Sequence, residues 1–317
     1  MKNFLKPLLF SGIAVFSIYS CDDNDDVMMD SEMTVYQRIS SDTDLSNLKA
    51  AVDKAGLSST LDQSGTFTLF APTNTAFATF LQANGYASLN DVPTAALKTL
   101  LMNHVLGTEV KSSGISTGYV STLAIGPASS TRPLSMFINT SSGVRINGVS
   151  SVVATDIDVN NGVIHKVNAV IGLPTIVTHA TANPQFSSLV SALTRSDMPN
   201  FVGILSGTTN SPFTVFAPTN NAFSSLLTEL NLANLAAIPQ ATLENTLKYH
   251  VVTGANVAST NLTNNMTVTT FQGGTFKINT TGGAKITDNN NRISNIIATD
   301  VQCSNGIIHA IDKVLLP

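Results

Sequence analysis

The strongest constraint on this chain is a repeat. Phe67-Thr-Leu-Phe-Ala-Pro-Thr-Asn-Thr-Ala-Phe77 returns 146 residues later as Phe213-Thr-Val-Phe-Ala-Pro-Thr-Asn-Asn-Ala-Phe223. Fidelity of this kind means that one structural unit was duplicated. The aromatic-rich run 67–71 has the length and composition of a buried strand. Pro72 cannot donate to a strand ladder and ends it. Thr73 and Asn74 are capping types for a following helix, whose apolar face is Ala76, Phe77, Phe80 and Leu81. The motif thus encodes strand, stop, cap and helix, and contains no chemistry of its own.

The rest of each unit is placed by distance from this stretch. Leu45, Leu48, Ala51, Val52 and Ala55 recur at helical spacing, with Asp44 as the expected cap and Gly56 as the end. Leu97, Leu100, Leu101, His104 and Val105 predict a second helix or its end, matched by Leu243, Leu247, His250 and Val251. A Thr/Ser/Gly-rich section predicts strands at 120–125, 133–139 and 144–146. Each unit closes on two β-rich runs around Asn161-Gly162 or Asn305-Gly306, and Asn-Gly signals a hairpin. A short linker at 175–184 leads to a helix around Phe186, Leu189, Val190 and Leu193, so the two units are expected to touch or to have limited freedom. The expected division is 1–20 leader, 21–32 tether, 33–174 first domain and 175–317 second domain.

The leader carries Lys2 and Lys6 followed by an apolar run of about a dozen residues, shorter than the ~20 that span a bilayer. It ends in Ile18-Tyr19-Ser20-Cys21, which resembles the lipobox of bacterial lipoproteins. That resemblance implies cleavage before Cys21 and acylation of its sulfur and amine. Two or more chains, each methylene contributing ~0.8 kcal/mol, make membrane residence stable. Asp22-Asp-Asn-Asp-Asp26 resembles the acidic tag that sends some Gram-negative lipoproteins to the outer face of the outer membrane. It begins like a calcium loop, but Val27 stands where that loop needs glycine. Of the 16 basic and 20 acidic residues, Lys2, Lys6 and six acidic residues (Asp22, Asp23, Asp25, Asp26, Asp30, Glu32) precede Met33, leaving 14 of each in the body. A neutral body without a basic stripe lacks the footprint of a nucleic-acid binder. Cys303 is the one other cysteine, and its counterpart Val159 marks it as an apolar core position.

Three markers therefore recur in fixed order: the Phe-Ala-Pro-Thr-Asn box, a mid-unit histidine, and Asn-Gly-x-Ile-His near the end. Together they closely resemble the fasciclin-like domain, whose middle marker is a Tyr-His pair. Tyr249-His250 matches that pair, whereas the first unit has Asn103-His104. The resemblance covers residues 33–317 and implies an α+β fold, two tandem fasciclin-like domains, each a β-sandwich or wedge with flanking helices. It also implies an extracellular or surface protein that adheres to protein, matrix or glycan partners and is not an enzyme. Partner contact is expected near Tyr249, His250 and His104.

Other chemistry is weakly signalled. His165 shares a strand face with Val163 and Val167, and His309 with Ile307 and Ile311. An unpaired buried imidazole costs ~1–3 kcal/mol, so each of the four motif histidines is expected to hydrogen-bond a nearby backbone or hydroxyl group. His179 is a lone linker residue without an assignable role. No metal or cofactor site is expected, because neither repeat supplies acidic or cysteine ligands at suitable spacing. Asp156-x-Asp158-x-Asn160 hints at a cation, but its glycine is displaced from the loop position required. Gly114-Ile-Ser-Thr-Gly118 has the letters of a nucleophile elbow without the strand–turn–helix context, and suggests a hydrolase only through Ser116. The expectation is a non-catalytic, lipid-anchored adhesion or binding protein in the outer membrane, facing the exterior. The alternative is a glycan-binding accessory lipoprotein of a polysaccharide uptake system, although the absence of Trp removes the commonest sugar-stacking side chain.

Overall fold

The computed structural model describes residues 32–317. The leader, Cys21 and almost all of the acidic tether lie outside the described residues. In the first unit the chain runs α1 (Val35–Ser41), α2 (Ser46–Lys54), α3 (Ser58–Asp62), β1 (Phe67–Pro72), α4 (Asn74–Ala83), α5 (Thr94–Met102) and β2 (Val105–Leu106). It continues through β3 (Gly118–Ile125), β4 (Pro133–Asn139), β5 (Arg145–Ile146), β6 (Ser150–Val159) and β7 (Gly162–Val167). The second unit repeats the order, with helices α6 (Ile176–Ala182), α7 (Ser187–Leu193), α8 (Phe201–Ser206), α9 (Asn220–Glu229) and α10 (Gln240–Tyr249). Its strands are β8 (Phe213–Pro218), β9 (Val251–Val252), β10 (Met266–Thr269), β11 (Thr275–Asn279), β12 (Lys285–Thr287), β13 (Ile293–Cys303) and β14 (Gly306–Ile311).

Among the described residues each unit forms a seven-stranded mixed sheet, ordered β2-β1-β7-β6-β5-β4-β3 and β10-β11-β12-β13-β14-β8-β9. The motif strand β1 lies parallel to the closing strand β7, in the register Phe67↔Gly162 to Pro72↔Val167. β8 and β14 repeat this from Phe213↔Gly306 to Pro218↔Ile311. β6 pairs with β5 through Ser150 and Ser151, then with β7 from Val152 onward. Bulges at 152–154 and 154–157, within its pairing to β7, bend it further, and bulges increase strand curvature and twist. β2 packs against β3, so the two ends of the strand order meet and the sheet closes to a wedge. Helices α1, α2, α4 and α5 cover one side of it around Leu48, Val52, Leu69, Phe77, Leu97 and Ile164.

The boxes that resemble the family's markers turn out to be joints. Thr73 caps α4 through its own Oγ1, which accepts the Ala76 N–H. Asn74 does a different job from the expected one. Its Oδ1 accepts the Asn47 N–H at 2.9 Å and its amide donates to the Thr43 carbonyl at 2.9 Å, fixing the start of α2. Asn220 repeats both contacts with Ser188 and Pro184. Asp44 is not the cap of α2; Asp42 accepts the Asp44 N–H and opens the turn that precedes it. The closing hairpin has its two-residue turn at Asn160-Asn161, one place earlier than Asn-Gly suggests. Gly162 already belongs to β7, where a Cβ would lie 1.9 Å from the Phe67 carbonyl oxygen, so only glycine permits the β1–β7 approach. Buried Asn161 reaches outward from this turn: its Oδ1 accepts the Val35 N–H and its amide donates to the Leu61 and Gln63 carbonyls. Asn305 binds Ile176, Leu205 and Gly207 in the same way.

The stretch read as a linker is the helix α6, capped by Thr175 and packed into the second unit. The units do touch. β4 lies against β13, with the Gln302 N–H donating to Ser135 Oγ at 3.0 Å. Arg132 reaches Asp300 at 3.4 Å and donates to Thr260 Oγ1 at 3.1 Å.

Candidate functional site

The residues singled out for partner contact sit at the ends of α5 and α10, where the chain turns into β2 and β9. His250 is the C-cap of α10 and is buried. Its Nδ1–H donates to the Thr246 carbonyl at 2.7 Å, and its Nε2 accepts the Leu315 N–H at 2.9 Å. His104 copies this with the Leu100 carbonyl (2.8 Å) and the Ile171 N–H (2.9 Å). Each ring therefore ties a helix end to the tail that closes its domain. Burial pushes both imidazoles down to about 4, so they are neutral at pH 7, as this donor–acceptor pattern requires.

Tyr249 is buried beside His250, its ring edge-on to Phe276 with centroids 5.8 Å apart. Its hydroxyl donates to the Thr275 carbonyl at 2.6 Å and accepts the Asn289 N–H at 3.2 Å. Asn103, at the equivalent place, donates instead to the Ile171 and Gly172 carbonyls. The substitution changes which segment is held: the 275–289 strands in the second domain, the closing tail in the first. Tyr249, His250 and His104 thus lie in the interior with their hydrogen-bonding atoms committed, and none of them presents a polar atom to a partner.

The second histidine pair stitches the bulged strand. His165 Nδ1 accepts the Asp156 N–H at 3.2 Å and its Nε2–H donates to the Val110 carbonyl at 2.9 Å. His309 does the same with Asp300 (3.4 Å) and Val257 (2.9 Å), and burial pushes its pKa down. Asp156 and Asp300 both adopt positive φ, 58° and 64°. Each receives a serine backbone N–H, from Ser112 at 2.7 Å and from Ser259 at 2.8 Å. Hydrogen bonds from Ser112 hold the Asp156 carboxyl below its usual range. The Asp156/Asp158/Asn160 cluster is therefore spent within the fold. Asp158 pairs with Lys111 at 3.0 Å, and Asn160 binds the backbone of Met33 and Glu32. Ser116 lies in a loop between a 3-10 turn and the start of β3, which is not a nucleophile elbow.

Two features escaped the sequence. His179 is fully buried between the domains, edge-on to Tyr119 at 5.3 Å. The Ser135 backbone approaches the ring, but neither ring nitrogen reaches hydrogen-bonding geometry. Burial drives its pKa down to about 3. Its spacing from Ile176 and Ala180 places the ring on the inner face of α6, a signal hidden by reading the segment as linker. The other feature is an exposed apolar pair at the same place in each domain. Val149 and Val153 are 63% and 58% exposed, and Ile293 and Ile297 are 58% and 54% exposed. Val153 and Ile297 sit where the register of the long strand shifts, without a cross-strand partner.

Comparison with known proteins agrees with this repeated architecture. A family model described as Fasciclin domain matches residues 43–174 and 184–317. The uncharacterized protein sll1735 of Synechocystis is 36% identical over 144 residues, which span 45% of this chain and 98% of that protein. Pig transforming growth factor-beta-induced protein ig-h3 is 28% identical over 264 residues, 80% of this chain, and the match spans 35% of its own length. Among solved structures, a domain pair from the insect cell adhesion molecule fasciclin I aligns with a TM-score of 0.49 at 19% identity, covering 89% of this chain and 96% of that one. Two family matches, each spanning one seven-stranded sheet and the helices that follow α1 or α6, place the chain in the fasciclin domain family, with two of its domains in tandem.

Proposed function

We propose that this chain is a lipid-anchored adhesion or binding protein of the cell surface, recognising protein, matrix or glycan partners noncovalently and without catalysis. Cys21 carries the lipid, and the acidic residues 22–26 supply reach from an outer membrane whose exterior face the domains occupy. The observation that carries the reading is the repeated apolar pair, Val149/Val153 and Ile293/Ile297. Exposed apolar side chains duplicated at one structural position suit a surface that meets a partner twice. The family's adhesive character, drawn from the resemblance above, supports the same reading. The interior contributes rigidity: His104, His250 and Tyr249 hold the closing segments and strands beneath the surface.

The test has two arms. Replacing Val153 and Ile297 together by Asp is expected to leave thermal unfolding unchanged while abolishing attachment of the displayed protein to immobilised matrix proteins or glycans. Replacing Cys21 by Ser is expected to abolish fatty-acid labelling and release the protein from the membrane fraction. A strain lacking the protein that attaches normally to matrix, glycans and other cells sinks the adhesion reading.

A further inference from the structure

The second domain contains an apolar cavity of about 180 Å³ between α6, α7, α8 and the sheet. Its floor is Val215, Ala217, Leu247, Val251 and Ile308, and its mouth is edged by Val177, Val190, Thr194 and Val202. The one imidazole in its wall, His250, spends both ring nitrogens on Thr246 and Leu315, so the cavity offers no free polar partner there. A space lined by hydrocarbon does not hold ordered water, and an apolar cavity of roughly 150 Å³ takes up benzene from solution.

The duplicated domain supplies an internal comparison. Val35 and Ile176 both donate their N–H to the asparagine of the closing turn, which aligns α1 with α6. Leu61 and Leu205 are aligned by the same asparagines, which sets α3 against α8. On this alignment the mouth positions Val177, Val190, Thr194 and Val202 correspond to Tyr36, Lys49, Asp53 and Ser58. In the first domain these four form a polar clasp. Asp53 accepts from the Tyr36 hydroxyl at 2.8 Å and the Ser58 hydroxyl at 2.9 Å, and pairs with Lys49 at 2.7 Å. The second domain lacks every member of the clasp, and Ala180 stands in the cavity wall where the first domain buries Ile39. The clasp is removed and the space behind it enlarged at the same place.

We propose that the second domain binds a small uncharged hydrocarbon group, ring or chain, in this cavity, with any polar end of the ligand left at the rim beside Thr181 and Thr194. The volume limits the buried part to about the size of benzene or a short alkyl chain. The site is separate from the exposed apolar pairs and does not depend on the adhesion reading.

Methyl NMR of the whole protein, titrated with toluene or with n-octanol, tests it, and the two probes separate ring from chain. Saturable shifts are expected for Val177, Val190, Val202 and Val215 with at least one probe, without matching shifts at Val35 and Val52 in the first domain. Ala180→Ile, which fills the cavity with the first domain's side chain, should weaken binding roughly tenfold or more. Val177→Tyr, Val190→Lys and Thr194→Asp together rebuild the clasp on the surface and should do the same, whether or not the core variant folds. Absence of saturable shifts with both probes overturns the proposal, as does unchanged affinity in the clasp variant or equal response from both domains.

Discussion

Acid should unfold these domains in a pH window set by histidine rather than by carboxylates. His104 and His250 fold as neutral rings with pKa values near 4, against 6.5 for the unfolded chain. The folded value is depressed, so the unfolded state binds the proton first. The stability contributed is fully present above pH 6.5 and is lost as the pH falls toward 4. A displacement of about 2.5 units corresponds to a ceiling of about 3.4 kcal/mol per ring, and about 2 kcal/mol of it is gone at pH 5. The first domain carries one such ring, while the second carries His250 and also His179, which is pushed to about 3 and adds to the same loss, and domains of this size have only ~5–15 kcal/mol to lose. The carboxylates held low, Asp42 and Asp156 among them, act below their ordinary value of 3.8 and leave the window from 7 to 5 to histidine. Urea unfolding followed by circular dichroism at pH 7, 6 and 5 measures this directly. His104→Gln and His250→Gln are each expected to start less stable at pH 7 but to lose about 2 kcal/mol less on acidification to pH 5. Stability that is flat or rising from pH 7 to 5, or a pH slope identical in wild type and both variants, refutes the reasoning.

Four further outcomes follow from individual contacts. Gly162→Ala places a methyl 1.9 Å from the Phe67 carbonyl oxygen at φ +147°, and should cost about 3 kcal/mol or more in chemical unfolding. Asn305→Ala strips partners from the Ile176 N–H and the Leu205 and Gly207 carbonyls, and should cost about 2–4 kcal/mol by the same measurement. His179→Phe keeps the edge-on contact with Tyr119 and removes two buried nitrogens without partners, so thermal unfolding at pH 7 should show a gain of about 1–2 kcal/mol. Cys303 is fully buried and burial raises its thiol pKa, so a thiol reagent should leave it unmodified until the protein unfolds.

The repeated boxes made the register of both domains legible, because their residue types carry local meaning: aromatics for a buried strand, Pro for its end, Thr for the cap. Alternation on the closing strands correctly turned His165 and His309 inward, and helical spacing did the same for His104 and His250. The helix α6 is harder to see: its seven residues give only one recurrence, Ile176, His179 and Ala180, and its first N–H is held by Asn305, 129 positions away. For the same reason Asn74 was read as a cap for its own helix, although its side chain serves α2. The candidate sites followed this pattern. Sequence singled out Tyr249, His250 and His104, but only the fold showed where their polar atoms go: each histidine binds a carbonyl four residues back and an N–H in the closing tail, and Tyr249 binds the backbone of Thr275 and Asn289.

What the sequence determined by itself is the duplicated α+β unit and the inward side of those helices and strands whose apolar spacing is visible, since both follow from residue types within a few positions of one another. The tertiary structure decided the rest. It set the partners of His104, His250, Tyr249 and Asn161, the seat of His179 between the domains, and the opening of a cavity where Val177, Val190 and Val202 replace a polar clasp. Those outcomes depend on which segments meet across tens to more than a hundred residues, and no local pattern carries that information.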